Sequence, residues 1–156
     1  MRKIFFASFF LMMAIFLSGC GSSTAGNKPT MDELAEDDKY HYQNPDLGFQ
    51  VALPSSFEYY QTQKKETDGY TDIEFFVPTS DESNSFSEVA GYAKPMTVRI
   101  FDKEEWKNID EEGRFQKIDE NGDSVYTVHF WDDIPADWQD KWGENTEAEI
   151  EKSFEF

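Results

Sequence analysis

Phe115-Gln116-Lys117-Ile118-Asp119-Glu120-Asn121-Gly122-Asp123-Ser124-Val125-Tyr126-Thr127-Val128-His129-Phe130-Trp131 is the stretch from which the fold is read. Two β-prone runs flank Asn121-Gly122, the pair favoured at the centre of a type I′ hairpin, where both central residues need positive φ. Counting outward sets Ile118 opposite Val125 and Phe115 opposite Val128. Val125 to Trp131 is predicted as the second strand.

Upstream, Met96 to Phe101 alternates apolar and polar residues, as a half-buried strand does. Asp102 with Glu105 has the spacing of a capping box. A short helix from Lys103 to about Ile109 follows from it, burying Trp106 and Ile109 on one face. Tyr70 to Val77 is predicted as a strand with Ile73, Phe75 and Val77 on one face, stopped by Pro78. Lys64 to Gly69 reads as a polar turn, and Thr79 to Phe86, rich in Ser, Asp and Glu, as a mobile loop. Gly48 to Pro54 alternates with Phe49, Val51 and Leu53 on one face, after a turn signal at Asn44-Pro45-Asp46. Phe57, Tyr59 and Tyr60 begin a further extended or short helical piece.

Downstream, Trp138 and Trp142 lie four apart, the spacing of a short amphipathic helix. Thr146 with Glu149 is a second capping-box spacing, opening a helix that carries Ile150. Ser153 to Phe156 is a last strand or a helix end. Strands, helix, hairpin and helices in this order predict an α+β domain: a largely antiparallel sheet with helices packed on one side.

The N-terminus is a separate unit. Arg2 and Lys3 precede an apolar run from Ile4 to Leu17 broken only by Ser8, and small residues lead to Cys20. A charged start, a short apolar run and a small-residue cleavage site describe an export signal. The run is short of the roughly 20 residues that a membrane-spanning helix needs. Leu17-Ser18-Gly19-Cys20 resembles the lipobox of bacterial lipoproteins. That resemblance implies cleavage between Gly19 and Cys20, and a diacylglycerol on the Cys20 sulfur. It divides the chain into a signal peptide at 1–19, a lipidated cysteine with a flexible acidic linker at 20–39, and a domain at 40–156. A flexible linker of this length spans roughly 25 Å root-mean-square.

Residues 1–19 carry two positive charges and no negative one, so their removal takes the formal charge from −18 to −20. That balance argues against nucleic-acid binding, which needs clustered Lys and Arg, and against the domain lying flat on anionic lipids. Cys20 is the only cysteine, so lipidation leaves no disulfide and the core must hold the fold. An aromatic content of 17% argues against global disorder.

Tyr42-x-Asn44 before Asp46-Leu47-Gly48-Phe49, then Val51-x-Leu53-Pro54 and the aromatic Phe57, resemble bacterial lipoprotein domains of the PsbP/Mog1-like group. The terminal Ser153-Phe154-x-Phe156 after an acidic helix fits the same pattern. Many such domains have Trp where this chain has Phe57. The resemblance covers about residues 40–156. It implies a sheet flanked by helices, and binding or assembly rather than catalysis. No functional signature of the group maps residue by residue onto this chain.

The residues themselves point to little chemistry. Asp119-Glu120-Asn121-Gly122-Asp123 is acidic, but its Gly is fourth, where a calcium loop needs Gly at position 6. Asp132, Asp133, Asp137 and Asp140 form a second acidic group. The two histidines, His41 and His129, have no ligand spacing. No G-x-S-x-G elbow is present. No metal, cofactor or catalytic residue is therefore predicted. Tyr59, Tyr60, Trp131, Trp138 and Trp142 remain as aromatics that either line a sugar, peptide or protein groove or pack the core. The expectation is a membrane-anchored lipoprotein facing outside the cytoplasm, extracellular or periplasmic, and not an enzyme. It would act as a binding or assembly module for another envelope protein. The alternatives are a small-ligand or cation-binding lipoprotein associated with transport, and an envelope-polymer hydrolase.

Overall fold

Alternating apolar residues become strands, and the strands form two sheets. The computed structural model describes residues 33–109 and 114–156. The expected signal peptide at 1–19, Cys20 and the expected linker through residue 32 lie outside the described residues. β1 (Lys39–Asn44) and β2 (Phe49–Pro54) form an antiparallel hairpin. β3 (Gln61–Thr67), β4 (Tyr70–Pro78), β5 (Tyr92–Asp102), β6 (Gln116–Asn121) and β7 (Ser124–Phe130) form an antiparallel sheet in the order β3-β4-β5-β7-β6. Among the described residues two short α-helices accompany them, α1 (Lys103–Trp106) and α2 (Thr146–Lys152). The fold is α+β, dominated by antiparallel sheet with helices packed nearby. Among the described residues, no helix is long and apolar enough to cross a membrane.

One face of the five-stranded sheet carries the core. Ile73, Phe75 and Val77 of β4, Met96, Val98 and Ile100 of β5, and Tyr126 and Val128 of β7 share it. Phe49, Val51 and Leu53 of β2 are packed with them, as are Phe57, Tyr60, Trp138, Trp142 and Ile150. Phe75 sits between Tyr42 and Tyr60, with ring centroids 4.9 Å and 6.1 Å away. Each such side chain contributes about 1.5–3 kcal/mol on burial. The β1–β2 turn is held by its own side chains. Asn44 accepts from the Leu47 N–H at 3.1 Å and donates to the Tyr42 hydroxyl at 3.0 Å. The Tyr126 hydroxyl donates to the Leu47 carbonyl at 2.9 Å. Gly48 has φ +70°, a conformation that costs glycine nothing.

Several expectations are corrected. Lys64 to Gly69 is not a turn. Most of it is strand β3, and only Asp68-Gly69 turns, with Gly69 at φ +87°. The segment is polar because β3 is a sheet edge, where Lys and Glu discourage pairing with other chains. The 115–131 hairpin exists, but its register is shifted. Asn121 pairs with Ser124 and Glu120 with Val125, so the two-residue loop is Gly122-Asp123. Gly122 alone has positive φ there, at +60°, the pattern of a type II′ turn with Gly first. A bulge between Lys117 and Asp119 moves the rest of β6, so that Gln116, not Phe115, faces Val128.

α1 ends at Trp106 rather than near Ile109, and Trp106 and Ile109 are only half-buried. Asp102 makes no side-chain capping bond, and Thr146 is the first residue of α2 rather than its cap, a place taken by Asn145, which makes none either, so neither capping box forms. Residues 135–142 form successive hydrogen-bonded turns rather than a named helix, although both tryptophans are buried. The C-terminal end forms a single bridge, Glu155 to Gln50 of β2. The two helices do not share one face. Ile150 of α2 joins the core, whereas Trp106 of α1 lies 5.4 Å from Phe101, whose side chain is on the other face.

Phe75→Ala is expected to destabilise the fold by about 3–5 kcal/mol, because the cavity cannot close among neighbouring rings. Urea unfolding monitored by tryptophan fluorescence measures this, and a cost under about 1 kcal/mol would contradict the packing described.

Candidate functional site

The pleat that buries Ile73, Phe75 and Val77 turns Asp72, Glu74 and Phe76 to the opposite face. The same alternation turns out Thr97 and Arg99 on β5, and Thr127 and His129 on β7. Register then sets these side chains in rows across the sheet. One row runs Lys65, Asp72, Arg99, Thr127 and Lys117. The next runs Gln63, Glu74, Thr97 and His129. A bulge between Phe75 and Val77 resets the β4–β5 register around Pro95, so that Val77 pairs with Ala93 and Phe75 with Met96. Lys94 is thereby turned to the polar face beside Glu74.

This second face is polar, yet much of it is out of water. Asp72 is 6%, Glu74 4%, Thr97 6% and Thr127 0% exposed. The segments that arch over it carry aromatics. Phe86 packs on Phe76 at 5.5 Å at one end, and Phe115 packs on Phe101 at 5.9 Å at the other. Between them lies a cleft of about 410 Å³, bounded further by Arg114, Trp131, Asp132 and Asp133. That volume is in the range of small-ligand sites.

The buried charges are paired. Asp72 accepts from Arg99 Nε at 2.7 Å and Nη2 at 2.8 Å, a bidentate fork. The Arg99 guanidinium lies between the rings of Tyr70 and Phe115, 3.9 Å and 4.3 Å from their centroids. Glu74 holds Lys94 at 2.8 Å and Lys65 at 2.9 Å, and Lys65 reaches on to Glu88 at 2.7 Å. Burial pushes the Glu74 carboxyl up, but the two ammonium groups outweigh it and hold it below its ordinary range. The Thr127 hydroxyl donates to the Arg99 carbonyl at 2.9 Å. Asp132 approaches His129 Nε2 only to 3.9 Å, outside hydrogen-bond range.

The Thr79 to Phe86 segment, read from sequence as a mobile loop, is tied down by two carboxylates. Asp137 accepts from the Thr79 hydroxyl, the Ser80 N–H and the Ser80 hydroxyl at 2.8–3.1 Å. Asp81 accepts from the Ser83 N–H and hydroxyl, Asn84 Nδ2 and the Ala136 N–H. The Ser83 and Asn84 donors hold Asp81 well below the usual carboxylate range. Burial raises Asp137, but the bonds from Ser80 and Thr79 overcome it and lower it.

The five aromatics singled out in the sequence are placed as follows. Tyr60, Trp138 and Trp142 are buried in the core. Trp131 is half-buried, with its ring centroid 4.7 Å from Trp142 and 5.7 Å from Trp138, and it lines the cleft. Tyr59 is 54% exposed, with φ +62°, a conformation that strains a tyrosine. It shares a second cavity, of about 430 Å³, with Trp138 and Lys141. Gly19 and Cys20 lie outside the described residues. Asp119 to Asp123 sits on the β6–β7 hairpin, and among the described residues no cluster of three His, Cys, Asp or Glu could hold a metal.

Sequence reading missed Asp72, Glu74, Thr97, Arg99 and Arg114. Its one available signal was that the polar positions of the inner strands carry charges of both signs, where a simple solvent face needs none. No family model matches the chain, and no curated protein and no solved structure matches it.

Arg99→Met is expected to cost about 3–5 kcal/mol by leaving Asp72 buried and unpaired, while Arg99→Met with Asp72→Leu recovers much of the loss. A double-mutant cycle in urea measures this; additive losses would mean that the pair is not coupled. A second test uses pH. Folded-state values below the ordinary 3.8 mean that Asp81 and Asp137 add stability fully present above that value and lost as pH falls through the folded values. The melting-temperature gap between the wild type and an Asp81→Asn, Asp137→Asn variant should therefore narrow as pH falls below 3.8. A gap that widens on acidification would reverse the assignment.

Proposed function

We propose that this chain is a lipid-anchored lipoprotein facing outside the cytoplasm, whose domain is a non-catalytic binding module using the cleft on its polar sheet face. The observation that carries this reading is the cleft floor. Its two buried carboxylates, Asp72 and Glu74, are each bound by cations, and Glu74 is held ionised. A general acid needs the opposite, a carboxyl raised toward neutrality. A floor of paired charges suits recognition, because it presents donors and acceptors already held in place.

The occupant expected from the sequence is a segment of another envelope protein. A small polar ligand is the second reading, which the cleft's volume of about 410 Å³ favours. The anchor is proposed from Leu17-Ser18-Gly19-Cys20 and the apolar run before it. Membership of the PsbP/Mog1-like group is proposed from Tyr42-x-Asn44 and Asp46-Leu47-Gly48-Phe49. Asn44 and Gly48 have structural roles in the β1–β2 turn that suit such a motif.

Two measurements test this. Cys20→Ser should release the protein from the membrane fraction, with the signal segment uncleaved or cut elsewhere; a membrane-bound protein of unchanged mass would remove the lipobox reading. Crosslinking on intact cells should capture an envelope partner or ligand with the wild type and not with Arg114→Glu, an exposed change that should leave the melting temperature unaltered. Equal capture by both, or turnover of an envelope polymer abolished by Glu74→Gln, would overturn the binding reading.

A further inference from the structure

Once the internal pairs of the cleft are accounted for, the charges left at its rim have both signs. Asp72 is paired with Arg99, and Glu74 with Lys94 through a hydrogen bond to Oε1 and with Lys65 through an ion contact at Oε2, an atom that has no aligned hydrogen-bond donor among the described residues. Arg114, just before β6, and Asp132 and Asp133, just after β7, remain. Antiparallel pairing of β6 with β7 brings these two chain segments to the same end of the hairpin. Among the described residues, Arg114 and Asp133 take part in no ion pair, and Asp132 has only its 3.9 Å approach to His129. Phe115 and Trp131, each next in sequence to one of these charges, supply apolar wall. The buried Trp131 indole N–H also has no acceptor among the described residues.

A ligand must match this arrangement. A simple anion would meet Arg114 but also two carboxylates, within a chain of formal charge −18. A simple cation would meet the carboxylates and also a guanidinium. A neutral apolar molecule would use Phe115 and Trp131 alone and none of the three exposed rim charges. A molecule carrying both an ammonium and a carboxylate satisfies both signs together. We propose that the cleft binds a small zwitterion, a free amino acid or short peptide. Arg114 takes its carboxylate, Asp132 and Asp133 its ammonium, and Phe115 and Trp131 flank its apolar part. This rests on the reading of the cleft as the binding site.

The test is calorimetric titration of the full-length lipidated protein in nanodiscs. The probes are phenylalanine, the dipeptide Ala-Phe, N-acetyl-Ala-Phe and Ala-Phe-amide. Ala-Phe or phenylalanine should bind, which of the two distinguishing peptide from free amino acid, and blocking either charged end should weaken binding about tenfold or more, as expected for loss of a charge-assisted contact. Arg114→Gln should weaken the free-carboxylate probes and leave Ala-Phe-amide unaffected. Asp132→Asn with Asp133→Asn should do the reverse, weakening the free-amine probes and sparing N-acetyl-Ala-Phe. Equal binding of blocked and free probes, or no binding of any, overturns the zwitterion assignment. If the partner capture that depends on Arg114 persists in that case, only the ligand class fails; if capture is also indifferent to Arg114, the cleft itself is not the binding site.

Discussion

The two-residue pleat of β4, β5 and β7 is the constraint on which the rest of the molecule depends. Each of these strands is covered on both faces, so each residue is committed to the apolar core or to the charged face. Ile73 and Glu74 are both nearly inaccessible, at 2% and 4%, for opposite reasons. One is buried because it is apolar, the other because two lysines and the overlying aromatics replace its water. A one-residue slip of any inner strand would exchange these sets, placing Asp72 and Arg99 in the core and Ile73 and Val98 among charges. Few arrangements specify register more strongly.

The bulge near Pro95 shows how the charged face is adjusted. Without it, unbroken alternation from Met96 would set Lys94 on the core side. The extra residue falls where a proline has no N–H to lose from the ladder, and the Pro95 carbonyl is still used, accepting from the Trp131 N–H at 3.0 Å. The result is the Lys94–Glu74 contact and a cleft floor without an unpaired buried charge.

The charged face also explains how so acidic a chain assembles this cleft. Much of the acidic excess is on solvated positions, where screening makes it cheap. Most of the cations that line the polar face are held against carboxylates, Lys65, Lys94 and Arg99 among them, and Arg99 is packed further between two rings. The closing segments depend on carboxylates as well. Asp81 and Asp137 tie the 79–91 segment to the 135–137 turn through short bonds to backbone and hydroxyl donors. Charge thus serves two purposes: solvation outside, and geometry around the cleft.

The sequence by itself determined the local periods. Phe49, Val51 and Leu53, and Ile73, Phe75 and Val77, are legible as strand faces because alternation depends only on neighbours along the chain. The Gly122 turn and the Ile150 helix are legible for the same reason. β3 was hidden because an edge strand needs no apolar stripe, and the register at Gly122-Asp123 because a turn signal names the residues near a turn without fixing which two are its centre. The cleft was out of reach altogether. Asp72 and Arg99 are 27 residues apart, and Arg114, Trp131 and Phe86 come from three different connections. Only strand pairing places them together. Sequence decided which residues could be buried. Tertiary structure decided which charges meet, because ion pairing depends on distances that the chain acquires only when the sheet is formed.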